Sequence, residues 1–307
     1  MLVNPYYVFN LVSALDNAQG TQQQLSNEVA TGVSINQLSD NPAGAGENVR
    51  LLNQLQADDS FTQSSSLVSG QLQVADSALG SAVSEITSAL SLATGGNNDT
   101  LNASDKQSIA NQLEGIRGEL LSLANTSYQG VYLFGGANVS TAPFTLSTST
   151  SPASVAYHGD STVNSLTTPS GQSIALNLPG NQIFLGGANA TGTATSNSVF
   201  DALNNLIADF SNNNSAGVTT TDTESLNTAL NYLSQQRVTL DNSISQLNSA
   251  TDLASSQATQ LTAAQTSLMQ ADLPTVSSHL ALAETQQTAL INIISQLGSG
   301  SLFDKLP

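Results

Sequence analysis

Two histidines, His158 and His279, are the only imidazoles in the 307 residues, and there is no cysteine, so imidazole-based metal or acid–base chemistry would have to begin with them. A metal site needs three or four ligands converging at short spacing, and no cluster of Asp or Glu at such spacing accompanies either histidine. His158 falls in an expected turn and His279 on the exposed face of an expected helix. The absence of cysteine excludes disulfides, thiolate nucleophiles and cysteine-based zinc sites. Gly44-Ala45-Gly46 has the glycine spacing of a phosphate cradle, but it opens a helix with no strand before it, and a dinucleotide site requires that strand. Asp58-Asp59 reads as a solvated helix face. Asn98, Asn102, Asn125, Asn138 and Asn189 each begin a glycosylation sequon, as chance produces in a chain so rich in Asn and Ser. No catalytic, metal-ligating or cofactor-binding residue is assigned, and no cofactor is expected.

The charges exclude further classes. There are 22 acids against 5 bases, a net charge of −17 in a chain only 9% charged. Arg50, Lys106, Arg117, Arg237 and Lys305 are too few and too scattered to follow a phosphate backbone, so nucleic acid is not expected as a partner. No apolar run approaches the ~18 residues of a membrane span, the longest near the C-terminus being Ala289 to Ile294. Met1 to Phe9 lacks the basic start and apolar stretch of a signal peptide; if the chain is exported, it is expected to leave without a cleaved leader.

The remaining signal is helical. Ser39-Asp40-Asn41-Pro42-Ala43 is a break, because Asp40 or Asn41 can cap a helix and Pro42 suits its first position. From there to Thr94, Val68, Leu72, Ala75, Leu79, Ala82, Ile86, Ala89 and Ala93 keep helical spacing. Asp272-Leu273-Pro274 is a matching break near the other end. An outer helix is expected from about Pro5 to Thr31, with Gly32 as its C-cap, and another from Thr275 to Leu297. Ser104 with Gln107 suggests a capping box before a helix carrying Ile109, Leu113, Ile116, Leu120 and Leu123. Leu226, Leu230, Leu233, Arg237, Leu240, Ile244, Leu247, Thr251, Ala254, Ala258, Leu261, Gln265 and Leu268 step by four and three, a coiled-coil seam whose polar members select register and partner. Between the helices, Val131–Phe134, Phe144–Leu146, Val155–Tyr157, Ser173–Leu178 and Gln182–Leu185 read as strands, and Val199, Leu203, Leu206 or Ile207, and Phe210 as a short helix. Leu133-Phe134-Gly135-Gly136-Ala137-Asn138 is echoed by Phe184-Leu185-Gly186-Gly187-Ala188-Asn189.

The fold class expected is therefore mainly α with a β-rich insert: a long antiparallel helical rod built from both chain ends, with a small β domain at the far pole. Residues 1–32 with 275–307 would form a terminal helical assembly domain, 33–136 with 198–274 the rod, and 137–197 the insert. Helices with one thin stripe each cannot cover their own apolar faces, so copies must pack together. The subunit interface is expected at Val8, Leu11, Leu15, Leu25, Val29, Val276, Leu280, Leu290, Ile294 and Leu297, and in the tail at Leu302 and Phe303.

Ala30-Thr31-Gly32 through Ser39-Asp40-Asn41-Pro42-Ala43-Gly44 resembles the N-terminal signature of the bacterial flagellin family, with Thr31, Gly32, Ser39, Asp40, Asn41 and Pro42 as the signature loop. Leu123-Ala124-Asn125-Thr126, Tyr132-Leu133-Phe134-Gly135-Gly136, Pro143-Phe144, Tyr157-His158-Gly159-Asp160, Gly180 to Phe184 and Ser301-Leu302-Phe303-Asp304-Lys305-Leu306 are similar, in order, to the members of that family that join hook to filament. The resemblance implies a non-enzymatic structural subunit of the bacterial flagellum, outside the cell, exported through the flagellum's own type III channel. It implies assembly into a ring beside hook-associated and flagellin subunits, and an export chaperone on the C-terminal region. A filament flagellin of the same fold is the alternative, and a coiled-coil surface adhesin or secretion-tip protein a third. Val33-Ser34 departs from the basic residue usual after Thr-Gly in the family.

Overall fold

The structure, a computed structural model, describes residues 5–98, 101–148, 153–187, 197–212 and 221–299. It is mainly helical with small strand pairs. The helices are α1 (Pro5–Thr31), α2 (Pro42–Gly96), α3 (Ala103–Ala124), α4 (Gly180–Phe184), α5 (Val199–Ser211), α6 (Thr221–Met269) and α7 (Leu273–Ser299). The strands β1 (Ser127–Tyr128), β2 (Val131–Tyr132), β3 (Phe144–Ser147), β4 (Ser154–Tyr157), β5 (Ser165–Thr167) and β6 (Ser173–Ala175) pair antiparallel, each with its neighbour in sequence. The chain divides into a terminal unit, Met1–Ala57 with Ser256–Pro307, and a core unit, Asp58–Ser255.

Helix ends follow capping chemistry. Asn41 Oδ1 accepts the Gly44 N–H at 2.9 Å, and Pro42 opens α2 without wasting a donor. Gly32, at φ +69°, closes α1 by donating to Glu28 O at 2.9 Å. The box that starts α3 is Asn102 with Asp105 rather than Ser104 with Gln107: Asp105 N–H donates to Asn102 Oδ1 at 2.9 Å, and Asn102 N–H to Asp105 Oδ2 at 3.4 Å. Asn102 lies outside the helix, where its oxygen can reach back to the orphan donors, whereas Ser104 is already inside it. Along the helices, hydroxyls such as those of Ser64, Thr87, Thr228 and Thr262 donate to the carbonyl one turn back, which makes a polar surface without charge.

The core unit holds a continuous apolar core. In α6, Leu226, Leu233, Leu240, Leu247 and Ala254 are buried, one residue in seven, while Leu230 and Ile244 on the flank are half-buried. The same spacing runs along α2 through Ala93, Ile86, Leu79 and Leu72 and continues back to Ser65 and Asp58. Asp58 is accordingly 4% exposed, not the solvated residue expected, although Asp59 beside it is exposed. Burial, helped by the charge of Asp59, pushes the Asp58 carboxyl up from its ordinary range. Arg237, one of the polar seam residues, forks onto Asp76 with Nε–Oδ1 2.7 Å and Nη2–Oδ2 3.1 Å. That fork holds the Asp76 carboxyl below its ordinary range. Gly80 lies beside the guanidinium, a Cβ there falling 3.4 Å from Arg237 Cζ, at ordinary contact distance.

Four buried rings close the other side of this core. Phe134 and Phe144 each meet Phe184 edge-on at 5.4 and 5.6 Å, and Phe200 lies 5.6 Å from Phe144. The echoed segments thus bring their phenylalanines together, and Gly136 and its counterpart Gly187 both hold positive φ, +71° and +82°; Ala188 and Asn189 lie outside the described residues. Two expected strands are altered by this cluster. Val131–Phe134 pairs only over Val131–Tyr132 and then turns, taking Phe134 inward. Gln182–Phe184 is helical, with Leu185 as the C-cap: Pro179 holds φ −62°, Ile183 N–H donates to Pro179 O at 3.3 Å, and one turn buries both Ile183 and Phe184, which a strand would send to opposite faces. β5 was not expected, its sequence Ser-Leu-Thr carrying one apolar residue, and β6 stops at Ala175. Buried Arg117 ties α3 to α5 by donating to Asn204 Oδ1 at 2.8 Å, and to Ala153 O at 3.2 Å. The sequon residue Asn125 is likewise consumed internally, giving to Phe144 O and accepting from Phe144 N–H, both at 2.9 Å.

Candidate assembly surface

Among the described residues no group of three or more His, Asp or Glu could hold a metal ion, and no helix is long and apolar enough to cross a membrane. His158 is exposed and its Nε2 lies 2.8 Å from Thr145 Oγ1; His279 is exposed on α7. The chemistry of the surface lies instead in its apolar side chains, and these gather in the terminal unit.

There α1 packs along α7. Ala14, Asn17, Ala18 and Thr21 face Ala283, Gln286, Ala289 and Leu290 across an open groove of ≈ 560 Å³. The end of α1 and the start of α7 meet at the bridge between Val33 and Gln270, so the two packed helices run antiparallel. Among the described residues of this unit the buried apolar side chains are Ile35, Leu51, Ala271, Val276 and Ala283, none of them aromatic, whereas large side chains stand in solvent: Tyr6 is 78% exposed, Phe9 69%, Leu38 70% and Leu282 57%. So much exposed apolar surface over so thin a core makes these two helices a candidate interaction surface.

The roots of the pair are joined. Ser34 N–H donates to Met269 O at 2.7 Å and Ala271 N–H to Gly32 O at 3.0 Å, so Val33 and Gln270 form an antiparallel bridge; the Ser34 hydroxyl adds a bond to Met269 O at 3.1 Å. The two breaks read separately from the sequence are therefore one structure. Asp40 Oδ2 accepts the N–H groups of Asn36 at 3.0 Å and Gln37 at 2.8 Å, which curls the signature loop. Thr31 Oγ1 accepts from Val33 N–H at 3.3 Å, and buried Ile35 seats over Gly44, where a Cβ would come within 2.6 Å of its Cδ1. Ser39 and Pro42 are exposed. With Ser34 in place of a basic residue, these contacts of the loop involve no ion pair.

The residues expected at a subunit interface take two kinds of position. Val8 and Val29 are exposed, at 39% and 37%. Leu11, Leu15, Leu25, Leu280, Leu290 and Ile294 are half-buried, and Val276 is buried. The side chain of Leu297, and all of Leu302 and Phe303, lie outside what the structure describes. More exposed than most of these are Tyr6, Phe9, Leu282, Ile291 at 48% and Ile293 at 41%, which lie outside the set expected at the seam. Leu282 and Ile293 stand eleven residues apart, three helical turns, and that second stripe was the signal available.

A sequence profile described as the bacterial flagellin N-terminal helical region matches residues 6–139. Flagellar hook-associated protein 3 of Escherichia coli is 26% identical over 293 residues, 90% of this chain and 89% of that protein. Flagellar hook-associated protein 3 of Salmonella typhimurium is 29% identical over 175 residues, so the match takes in 56% of this chain and only about half, 53%, of that relative. In fold, the hook-associated protein-3 of Legionella pneumophila superposes with a TM-score of 0.60 at 15% identity, over 73% of this chain and 98% of that one. The signature loop Thr31–Pro42 falls inside the matched region, and the two chain ends meet at it. The chain is therefore similar to flagellar hook-associated protein 3 along most of its length, and to the flagellin N-terminal helical region over residues 6–139.

Proposed function

We propose that the chain is a structural subunit of the bacterial flagellum, without enzymatic activity, that forms the junction between hook and filament. The observation that carries this reading is the contrast between its units. The core unit buries a continuous apolar core, and the terminal unit exposes Tyr6, Phe9, Leu282, Ile291 and Ile293 over a core of five apolar residues among those described. A subunit needs that contrast, since one part must hold its shape alone while the other gains most of its burial from neighbours. In this reading the faces around Val8, Leu11, Leu15, Leu25 and Val29 on α1, and Val276, Leu280, Leu290, Ile294 and Leu297 on α7, are completed by other copies in a ring and by adjoining hook-associated and flagellin subunits. Leu302 and Phe303 extend that surface. Before assembly the apolar face of α7 needs a cover, which is the role of an export chaperone on the C-terminal region, and the assembled protein stands outside the cell.

Electron microscopy of flagella labelled with an antibody to the core unit tests the reading. One band where hook meets filament is the expected result. Continuous label along the filament would make the chain a filament subunit of the same fold, and label away from flagella would remove the flagellar role.

A further inference from the structure

Two of the three strand pairs in the core unit have an outer edge already occupied. On β3, Phe144 gives and takes its outward bonds with the amide of Asn125, and on β2 the Tyr132 N–H donates to Val139 O at 3.0 Å. The hairpin of β5 and β6 differs. Leu176 N–H donates to Asn164 O and Thr168 N–H to Gln172 O, both at 2.8 Å, so by the alternation of an antiparallel pair Leu166 and Ile174 bond to each other. Ser165, Thr167, Ser173 and Ala175 then turn their N–H and C=O groups away from the hairpin, and no hydrogen bond among the described residues meets them. Ile174, 1% exposed, and Leu166 fix the hairpin to the core, while Ser165, Thr167 and Ser173 are exposed and Ala175 is half-buried. An open edge is a template for another strand, and proteins ordinarily guard it with a charge, a proline or a bulge. Here the register is regular, neither strand holds a proline, and no charged residue occurs between Asp160 and Asp201.

Charge says what fits the edge. Copies of a chain with net charge −17 repel one another over most of their surface, and this ribbon lets them touch without bringing carboxylates together. We propose that β5 of one copy pairs antiparallel with β6 of the next, a head-to-tail contact between the core units of neighbouring copies. Because the contact joins two different edges, it leaves one of each free at its ends, and the repeat closes into a ring where the rotation allows. Three residues of edge are too short to hold two free copies together; the pairing acts where another surface has already set copies side by side. Only the ring rests on the flagellar reading above, since the pairing of edges stands on the hairpin itself.

Covalent capture tests it. The chain has no cysteine of its own, and Thr167 faces Ser173 within one copy, so full-length Thr167→Cys is made apart from Ser173→Cys and Ala175→Cys. Mixed at high concentration under mild oxidation, Thr167→Cys should form a mixed disulfide with one of these two about tenfold or more faster than with Ser64→Cys, whose thiol stands exposed on α2. Equal rates, or a Thr167→Cys homodimer forming as fast, would overturn the head-to-tail pairing. Ser165→Pro removes an outward donor and leaves the bonds between Leu166 and Ile174 in place, a position where an edge strand tolerates proline. Added to Thr167→Cys, it should lower capture to the Ser64→Cys rate without changing the melting temperature, and undiminished capture would overturn the role of the edge. Should that variant fail to fold, the comparison of rates decides alone. Flagella from cells making both cysteine chains should contain the crosslinked dimer; flagella that contain the chain without it would overturn the contact. Absence of the chain from flagella would count against the flagellar reading alone, the pairing of edges then being decided on the purified chains.

Discussion

Gly44 and Asp58 show how single residues answer to positions that composition does not display. A Cβ at Gly44 would sit 2.6 Å from Ile35 Cδ1 and 2.7 Å from Asn41 Nδ2, so it would disturb the seat of Ile35 and the cap of α2 together. Gly44→Ala is expected to cost about 1–3 kcal/mol locally, read as faster amide exchange at Ser34 and Ala271, while the core unit melts as before. Asp58 sits on the buried seam of α2, and burial raises its carboxyl. A carboxyl with a folded pKa above its unfolded value binds its proton more tightly in the native chain. Its share of stability is therefore greatest at acid pH and is lost as pH rises from the ordinary carboxylate range through the raised value. Asp58→Asn should raise the melting temperature at neutral pH, by about 1 kcal/mol of stability, and the gain should vanish at a pH below the ordinary carboxylate range. An equal gain at both pH values would mean that charge burial is not the cause.

At the scale of elements the long helices were legible because their apolar residues repeat over many turns and their ends carry strong punctuation. The break at Pro42, the helix ending at Thr31 and the seam of α6 all follow from that. The short elements were not. Gly180–Phe184 is β-prone in composition and becomes a helical turn because Phe134 and Phe144 wait for Phe184, a contact no local pattern encodes. Asp58 was misread because the stripe on α2 was followed only from Val68, although buried Phe61 continues it, and around Phe61 the seam runs on beneath polar Ser65 and Asp58. For the candidate surface, the seam was readable but not which side of it faces the partner helix of the same chain. Arg237 tests what a polar seam residue contributes. A double-mutant cycle of Arg237→Ala and Asp76→Ala, followed by urea unfolding, should give a coupling of about 0.5–1 kcal/mol, modest because the guanidinium is partly solvated. Asp76 has a lowered carboxyl, so this coupling is present above the ordinary carboxylate range and is lost as pH falls through the lowered value. A coupling that persists in acid would show that the pair is held by packing alone.

For the whole molecule, burial and exposure are assigned to different units, and substitutions should separate them. Ile291→Asp with Ile293→Asp, at 48% and 41% exposure, is expected to leave monomer melting unchanged and to abolish assembly, with filament subunits shed into the medium and cells that do not swim. Each isoleucine buried in the assembly is worth about 1.5–3 kcal/mol, and a buried carboxylate adds its desolvation. Leu290→Asp with Ile294→Asp, on the half-buried side of α7, should also weaken the pairing of α1 with α7, seen as lost helical circular dichroism. Swimming cells carrying the first pair would place the assembly face elsewhere. The bridge at Val33 and Gln270 has a mechanical side as well. α1 leads into one of its strands and α7 leads out of the other, and because α1 and α7 pack together, both helices pull on the bridge from the same side. Tension shared by the two chain ends draws both strands in one direction and leaves their bonds unstretched. Tension on one end alone slides the strands past each other, and since the bonds lie across the direction of sliding, both must yield at once.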